Sequence, residues 1–292
     1  MGCRHPVQQA GIGGIATPRL AIAVARAGGL GMLSGTGGAA HLAAHLDALG
    51  GATPVGVNFL GPFLDPIALE DAAVRAPLVE LFWSEPDAGI VDTIHGGGAL
   101  AGWQVGAADE ARAAADAGCD LVVAQGIEAG GHVRGTTGLL PLLDEVRVAV
   151  DVPVVAAGGI ATGRAVAAAL VAGADAVRVG TAFLTATESG AHPTYVDALL
   201  SAGADDTVLT TAFGDGWPAA PHRVLRSCVD AGTRLGAEQS WSPHWPTEDD
   251  TGPVEARALY AGQGVGTLRA RRTAAEIVDD LVRDAEQRLP AG

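Results

Sequence analysis

The chain has 292 residues, 48% of them hydrophobic, and its 18 basic side chains are all arginine against 33 acidic ones, a net charge of −15. That length buries a large core and accommodates one (β/α) barrel with an appendage, while the acidic surface repels nucleic-acid phosphates and anionic membranes. The lack of lysine excludes every Schiff-base mechanism within the chain, and no apolar run approaches the roughly 18 to 20 residues that span a bilayer.

The opening stretch, MGCRHPVQQAG, has neither a charged n-region nor an apolar h-region, so a cytoplasmic protein is expected. Cys3, Cys119 and Cys228 are odd in number and share no C-x-x-C spacing. They read as free thiols in a reducing compartment, with neither a disulfide framework nor a zinc site. The composition leaves a homo-oligomer open.

From the N-terminus the pattern is strand, Gly-rich turn and Ala-rich helix, repeated. PVQQAGI (6–12) reads as a first strand. Thr17 before Pro18 then pairs an N-cap with a proline at the first helical position, for a helix running to about Ala27. LGMLSG (30–35) is a second strand followed by a helix over 39–49. PVGVNFL (54–60) is a third, with Asn58 near its carboxyl end, followed by a helix at about 66–76. LVELFW (78–83) and LAGWQV (100–105) are the fourth and fifth, with helices at 87–96 and 108–118.

Residues 121–135, LVVAQGIEAGGHVRG, form the sixth strand and its turn, and a helix over 138–150 tolerates Pro141 because it lies in the first turn. PVVAAGGI (153–160) is the seventh strand, 162–174 its helix, and AVRVGTAF (176–183) the eighth strand. Eight such units in about 180 residues predict an α/β fold, a closed (β/α)8 TIM barrel, over residues 1–203. The texture changes after 203. Residues 209–227 and the Trp/Pro-rich 239–253 lack periodicity and predict an accessory lid over 204–254. Residues 255–292 predict helices that pack back on the barrel, with Ala275, Ile277, Val278, Leu281 and Val282 in one stripe.

In such a barrel, chemistry belongs at the carboxyl ends of the strands. There Gly126, Gly130 and Gly131 let a planar ligand lie against the main chain, and Gln125, Asn58 and His132 supply polar atoms. His132 is read as a general base, against the plainer alternative of a histidine that caps a loop. Gly158 and Gly159 after the seventh strand and Gly180 with Thr181 after the eighth form a phosphate cradle at a helix N-terminus, against ordinary turn chemistry. Glu128 either orients His132 or is structural, the second being favoured.

No metal is expected, since His41, His45, His95, His192, His222 and His244 show no ligand spacing beyond the i, i+4 pair His41 and His45. Cys119 precedes the sixth strand, on the face opposite the expected chemistry. Trp83 and Trp103 are read as core before pocket lining.

Taken together, HPVQQAGIGGIATPRLAIAVARAGGLGML at 5–33, PVGVN at 54–58, AQGIEAGGHVRG at 124–135, PVVAAGGIATG at 153–163, VGTAF at 179–183 and YAGQGVG at 260–266 resemble the nitronate monooxygenase family. The resemblance covers nearly the whole chain. It implies non-covalent FMN in a TIM barrel, and oxidation of alkyl nitronates by molecular oxygen to a carbonyl compound and nitrite. By that resemblance His132 falls on the active-site histidine. Gly11, Ile12, Asn58, Gln125 and Gly130 fall on flavin contacts, and Gly158, Gly159, Val179, Gly180 and Thr181 on the phosphate site. Ala10, Gly11 and Ile12 stand where the family usually has Ala-Pro-Met, and the segment around Trp217 and Trp245 departs from the usual lid.

Two alternatives stand beside this expectation. One is an FMN-dependent, NAD(P)H-using enoyl-acyl carrier protein reductase, which shares the Gly-Gly-His turn and the barrel. The other is a non-catalytic flavin- or phosphate-binding protein.

Overall fold

The computed structural model describes residues 1–52, 54–236 and 241–289. Gln239 and Ser240 of the Trp/Pro-rich segment and the last three residues therefore lie outside the described residues. The elements in chain order are β1 (Val7–Gln9), α1 (Pro18–Arg26), β2 (Gly31–Ser34), α2 (Ala39–Ala48), β3 (Val55–Leu60), α3 (Pro66–Arg75), β4 (Leu78–Phe82), α4 (Ala88–Gly97), β5 (Leu100–Val105) and α5 (Ala108–Asp116). There follow β6 (Leu121–Gln125), β7 (Gly131–His132), α6 (Leu139–Ala149), β8 (Val154–Ala157), α7 (Gly163–Val171), β9 (Ala176–Val179), α8 (Thr181–Leu184) and α9 (Pro193–Ser201). The chain closes with β10 (Thr207–Thr210), β11 (His222–Leu225), α10 (Arg226–Leu235) and α11 (Ala274–Glu286).

Eight parallel strands run in the order β1-β9-β8-β6-β5-β4-β3-β2. The seam between β1 and β2 is closed by a parallel bridge from Gln8 to Leu30, with Gln9 N donating to Leu30 O at 2.9 Å and Leu30 N to Val7 O at 2.9 Å. One rung further on, Met32 N donates to the side-chain Oε1 of Gln9 at 2.9 Å, so an amide side chain stands in for missing main chain. The result is a (β/α)8 barrel. Helix starts follow from local chemistry. Thr17 accepts from Leu20 N, Asp65 from Ile67 N and Ala68 N, Asp87 from Ile90 N, and Thr162 from Ala165 N. Each such cap stabilises its helix by about 1 kcal/mol.

Two apolar clusters result. The larger lies between strands and helices; the smaller, Leu30, Met32, Leu78, Leu121, Val123, Val155 and Ala157, fills the lower lumen. Strand alternation then decides the cleft. The lumen positions that follow Met32, Gly56, Leu78, Gly102 and Val123 by two or four residues are Ser34, Asn58, Phe82, Gln104 and Gln125, and all of these line the open end.

Three sequence-based expectations need correction. The eighth strand ends at Val179, because Gly180 (φ −108°, ψ −74°) turns the chain into the single turn of α8. Residues 209–227 are not patternless: β10 and β11 pair antiparallel, and β11 pairs with β7 in register His222 with His132. All four residues of β11 are buried, which erases the period-two signal. Residues 257–273 are not α-helical; α11, packing beside α7 and α1, buries Ile277, Val278 and Leu281 as expected, but with Ala274 and Ala285 in place of the exposed Ala275. There Gly262 and Gly264 lie so close to the backbone of Gly130 and Gly159 that an added Cβ would come within 2.9 and 2.6 Å of it. Among the described residues, no helix is long and apolar enough to cross a membrane.

Candidate active site

The carboxyl ends of the strands enclose a cleft of about 1060 Å³ of non-atom space, part of it open to solvent. At one end Gly158 and Gly159 adopt φ of +115° and +69°, conformations that L side chains rarely take. Beside them, the amides of Gly159, Gly180 and Thr181 have no hydrogen-bond acceptor among the described residues. The Thr181 hydroxyl accepts from Gly262 N at 3.0 Å and so keeps its own proton to donate. This is a cradle for an anion, made of a loop amide at Gly159 and the amides that open α8. Gly180 and Thr181 are the N-cap and first residue of the single-turn α8, whereas α7 begins only at Gly163 and is already capped by Thr162.

At the other end lies His132. Gln125 Nε2 donates to His132 O at 3.0 Å and β11 pairs alongside, so both the sixth strand and the accessory hairpin fix the histidine backbone. Arg223 adds a clamp, its Nε and Nη2 donating to Ile127 O at 3.2 and 2.9 Å. The imidazole stacks on Trp217 with ring centroids 4.0 Å apart and 26° between planes, with Trp83, Tyr260 and His222 at 5.8, 5.6 and 5.2 Å. Burial, and then the neighbouring His222, push its pKa down to about 3. His132 is therefore neutral across the physiological range. His222 is likewise shifted down by burial; its Nε2 accepts from Phe213 N, so its Nδ1 carries the proton, donated to Ala220 O.

Among the described residues, four buried side-chain polar atoms find no partner: Asn58 Nδ2, Gln125 Oε1, His132 Nε2 and Ser84 Oγ. An unpaired buried polar atom costs about 1–3 kcal/mol, and the first three belong to residues that line the cleft. Trp83 adds a further cost, since φ +64° is unusual for a bulky residue. It brings its indole edge-on to both His132 and Trp217.

The structure brings together Gly11, Ile12, Asn58, Gln125, Gly130, His132, Gly158, Gly159, Gly180 and Thr181 on the cleft lining. Val179 is not on it. Its side chain is fully buried in the core, and its carbonyl accepts from Ala10 N at 2.9 Å. Two glycines are small for a reason other than a ligand: a Cβ on Gly11 would meet Leu33 O at 2.8 Å, and one on Gly130 would meet Gly262 N at 2.4 Å. Glu128 is structural, both carboxylate oxygens accepting from Leu139 N at the start of α6. Trp103 is core, its Nε1 donating to Ser84 O. Among the described residues no group of three His, Cys, Asp or Glu side chains is arranged to hold a metal.

Sequence reasoning missed Ser34, Gln104 and Arg178 on the lining and His222 behind it, and gave no site role to Tyr260, Gly262 and Gly264 of the 260–266 motif, which also line it. Arg178 is the most telling omission. Buried at 6% exposure, it donates through Nε to Gln8 Oε1 at 3.1 Å, through Nη1 to Gln104 Oε1 at 2.6 Å, and through Nη2 to Glu80, which is wholly buried. A charged residue inside an apolar four-residue strand was the available signal.

An anion cradle, unpaired amides midway and a neutral imidazole opposite, all at the open end of a (β/α)8 barrel, fit a phosphate-bearing cofactor, and the family match makes the chain an oxidoreductase. The chain belongs to the nitronate monooxygenase family, a family of flavin enzymes, whose model matches residues 1–73 and 63–284. A Mycobacterium tuberculosis protein named (3aS,4S,5R,7aS)-5-hydroxy-7a-methyl-1-oxo-octahydro-1H-indene-4-carboxyl-CoA dehydrogenase is 39% identical over 78% of this chain, a match that spans 64% of that relative's length. Among solved structures, FabK from Thermotoga maritima superposes with a TM-score of 0.83 at 30% identity, covering 98% of this chain and 94% of that one. Nitroalkane oxidase from Streptomyces ansochromogenes does so with a TM-score of 0.80 at 31% identity, covering 98% and 97%.

Proposed function

We propose that the enzyme holds FMN in this cleft and oxidises alkyl nitronates with molecular oxygen, releasing a carbonyl compound and nitrite. The observation that carries this reading is the set of unpaired buried atoms on Asn58, Gln125 and His132, in one cleft with the free amides of Gly159, Gly180 and Thr181. The residues fit the group. The amides and the Thr181 hydroxyl would hold the phosphate, and Asn58 and Gln125, a donor and an acceptor, would meet the polar edge of the ring. When bound, FMN supplies the electron transfer from substrate and the reaction with oxygen.

The protein's own part is binding and orientation. A neutral His132 in an aromatic box is a weak base, because taking up a proton would place a cation where burial opposes it. The same neutral ring, as the tautomer with its proton on Nε2, donates one hydrogen bond, which suits a nitronate oxygen. The site therefore favours a carbon acid that arrives already deprotonated over the neutral nitroalkane. Trp217, Trp83 and Tyr260 keep water from the face of the imidazole.

The 39% identical relative favours a second reading, dehydrogenation of a hydroxylated cyclic acyl-CoA ester. Anaerobic stopped-flow absorbance of the FMN-reconstituted protein separates the two. Reduction by propionate-3-nitronate, followed by oxygen-dependent nitrite release and no bleaching by NADH, is the expected result. An inert nitronate with bleaching by NADH moves the assignment to an NAD(P)H-dependent reductase, and bleaching by a hydroxyacyl-CoA moves it to the dehydrogenase. Failure to bind FMN sinks all three.

A further inference from the structure

Arg178 is the single permanently charged side chain on the cleft lining among the described residues. Its partner Glu80 does not line the cleft. Glu80 and Gln8 instead border a second cavity at the amino-terminal end of the barrel, lined by Leu30, Leu78, Leu121 and Val155 among others. The ion pair thus lies across the lumen, with its positive member toward the cleft and its negative member behind. Gln8 ties the two, accepting from Arg178 Nε and donating to Glu80 Oε1 at 2.8 Å, while Gln104 holds Nη1. Three of the five guanidinium N–H groups are committed in this way and two remain.

Burying such a pair costs desolvation that well-packed apolar residues would avoid, so core stability is a poor reason for keeping one in the lumen. The cleft supplies a better one. Reduction of a flavin ring adds two electrons and one proton, leaving the ring one unit more negative than before. A fixed cation in a poorly solvated floor favours that state, and a carboxylate further off tempers it.

We propose that Arg178 sets the electron affinity of the bound cofactor ring, with Glu80, Gln8 and Gln104 as the positioning residues that hold its guanidinium at the cleft floor. This rests on the FMN reading above. The test uses wild type, Glu80→Gln and the double variant Arg178→Gln/Glu80→Gln, each first titrated with FMN and checked for fold by circular dichroism. Midpoint potentials are then measured against a reference dye during slow reduction by xanthine and xanthine oxidase. Affinity for sulfite, an anionic nucleophile that adds its electron pair to the ring, gives an independent readout.

Glu80→Gln leaves the cation uncompensated and should raise the equilibrium constant for reduction at least fivefold, about 20 mV for a two-electron couple. The double variant keeps amide hydrogen bonding without charge and should lower the constant at least fivefold below wild type. Sulfite affinity should move in the same order. If Glu80→Gln does not fold, the neutral double variant decides alone. Smaller shifts, or shifts of the opposite sign, in protein that binds FMN overturn the inference and leave the FMN reading intact. Wild type that binds no FMN overturns both.

Discussion

The depressed pKa of His132 makes a claim about stability as well as chemistry. The unfolded chain should protonate this imidazole near 6.5, while the folded chain holds it neutral down to about 3. Between those values the unfolded state binds the extra proton, so stability contributed by the neutral ring is complete above pH 6.5 and is lost as pH falls. At about 1.4 kcal/mol per pH unit, the loss between pH 6.5 and pH 4 is about 3 kcal/mol. The perturbation is His132→Gln, which keeps a polar group at the position and removes the titration. Urea unfolding of both proteins without cofactor, at pH 7.5, 6.5, 5 and 4, gives the difference in unfolding free energy at each pH. Whatever the substitution costs at pH 7.5, the variant should gain about 3 kcal/mol relative to wild type by pH 4. His222 is present in both proteins and cancels to first order. A difference that stays flat within about 0.5 kcal/mol would refute the claim that burial against Trp217 keeps the ring neutral.

Three further outcomes follow from named contacts. Asn58→Ala or Gln125→Ala should each weaken FMN binding roughly fivefold to tenfold, the worth of one hydrogen bond, as read by quenching of flavin fluorescence; unchanged affinity would remove that residue from the cofactor site. Trp217→Ala uncovers the imidazole, so the His132 pKa should rise from about 3 toward 6.5, seen by NMR of the ring protons, and longer-chain nitronates should gain in kcat/KM over short ones. Burial pushes the Cys119 and Cys228 thiols up to about 12. Both should resist Ellman's reagent at pH 8 in the native protein and react fully in guanidinium, and rapid native labelling of either would contradict that burial.

The barrel was legible in the sequence because a parallel strand buried on both faces is a largely apolar run, and every run here but the fourth, which lies between Pro77 and Pro86, is bounded by glycine. His132 stood out because it follows Gly130 and Gly131 at the end of such a run. The lumen network did not. Gln8, Glu80, Gln104 and Arg178 occupy inward positions of four different strands, and only closure of the barrel makes them neighbours. Opposite charges inside two otherwise apolar strands were visible, but their pairing was not. The accessory hairpin was hidden for a related reason: His222 and Arg223 are polar yet buried, each satisfied by main chain, so β11 carries no alternation. Residues 260–266 were legible as a motif and misread as structure, since their glycines answer to the backbone of Gly130 and Gly159 across the cleft.

That last contact bears on how the enzyme is made. Gly262 N reaches Thr181 Oγ1 at 3.0 Å, and Gln263 N reaches the carbonyl of Glu128 at 2.9 Å. A nascent chain that has emerged from the ribosome only as far as β9 possesses all eight barrel strands and still lacks the rear wall of its cleft. Any ligand of that cleft would meet its complete wall only once residues 260–264 have been made, late in synthesis.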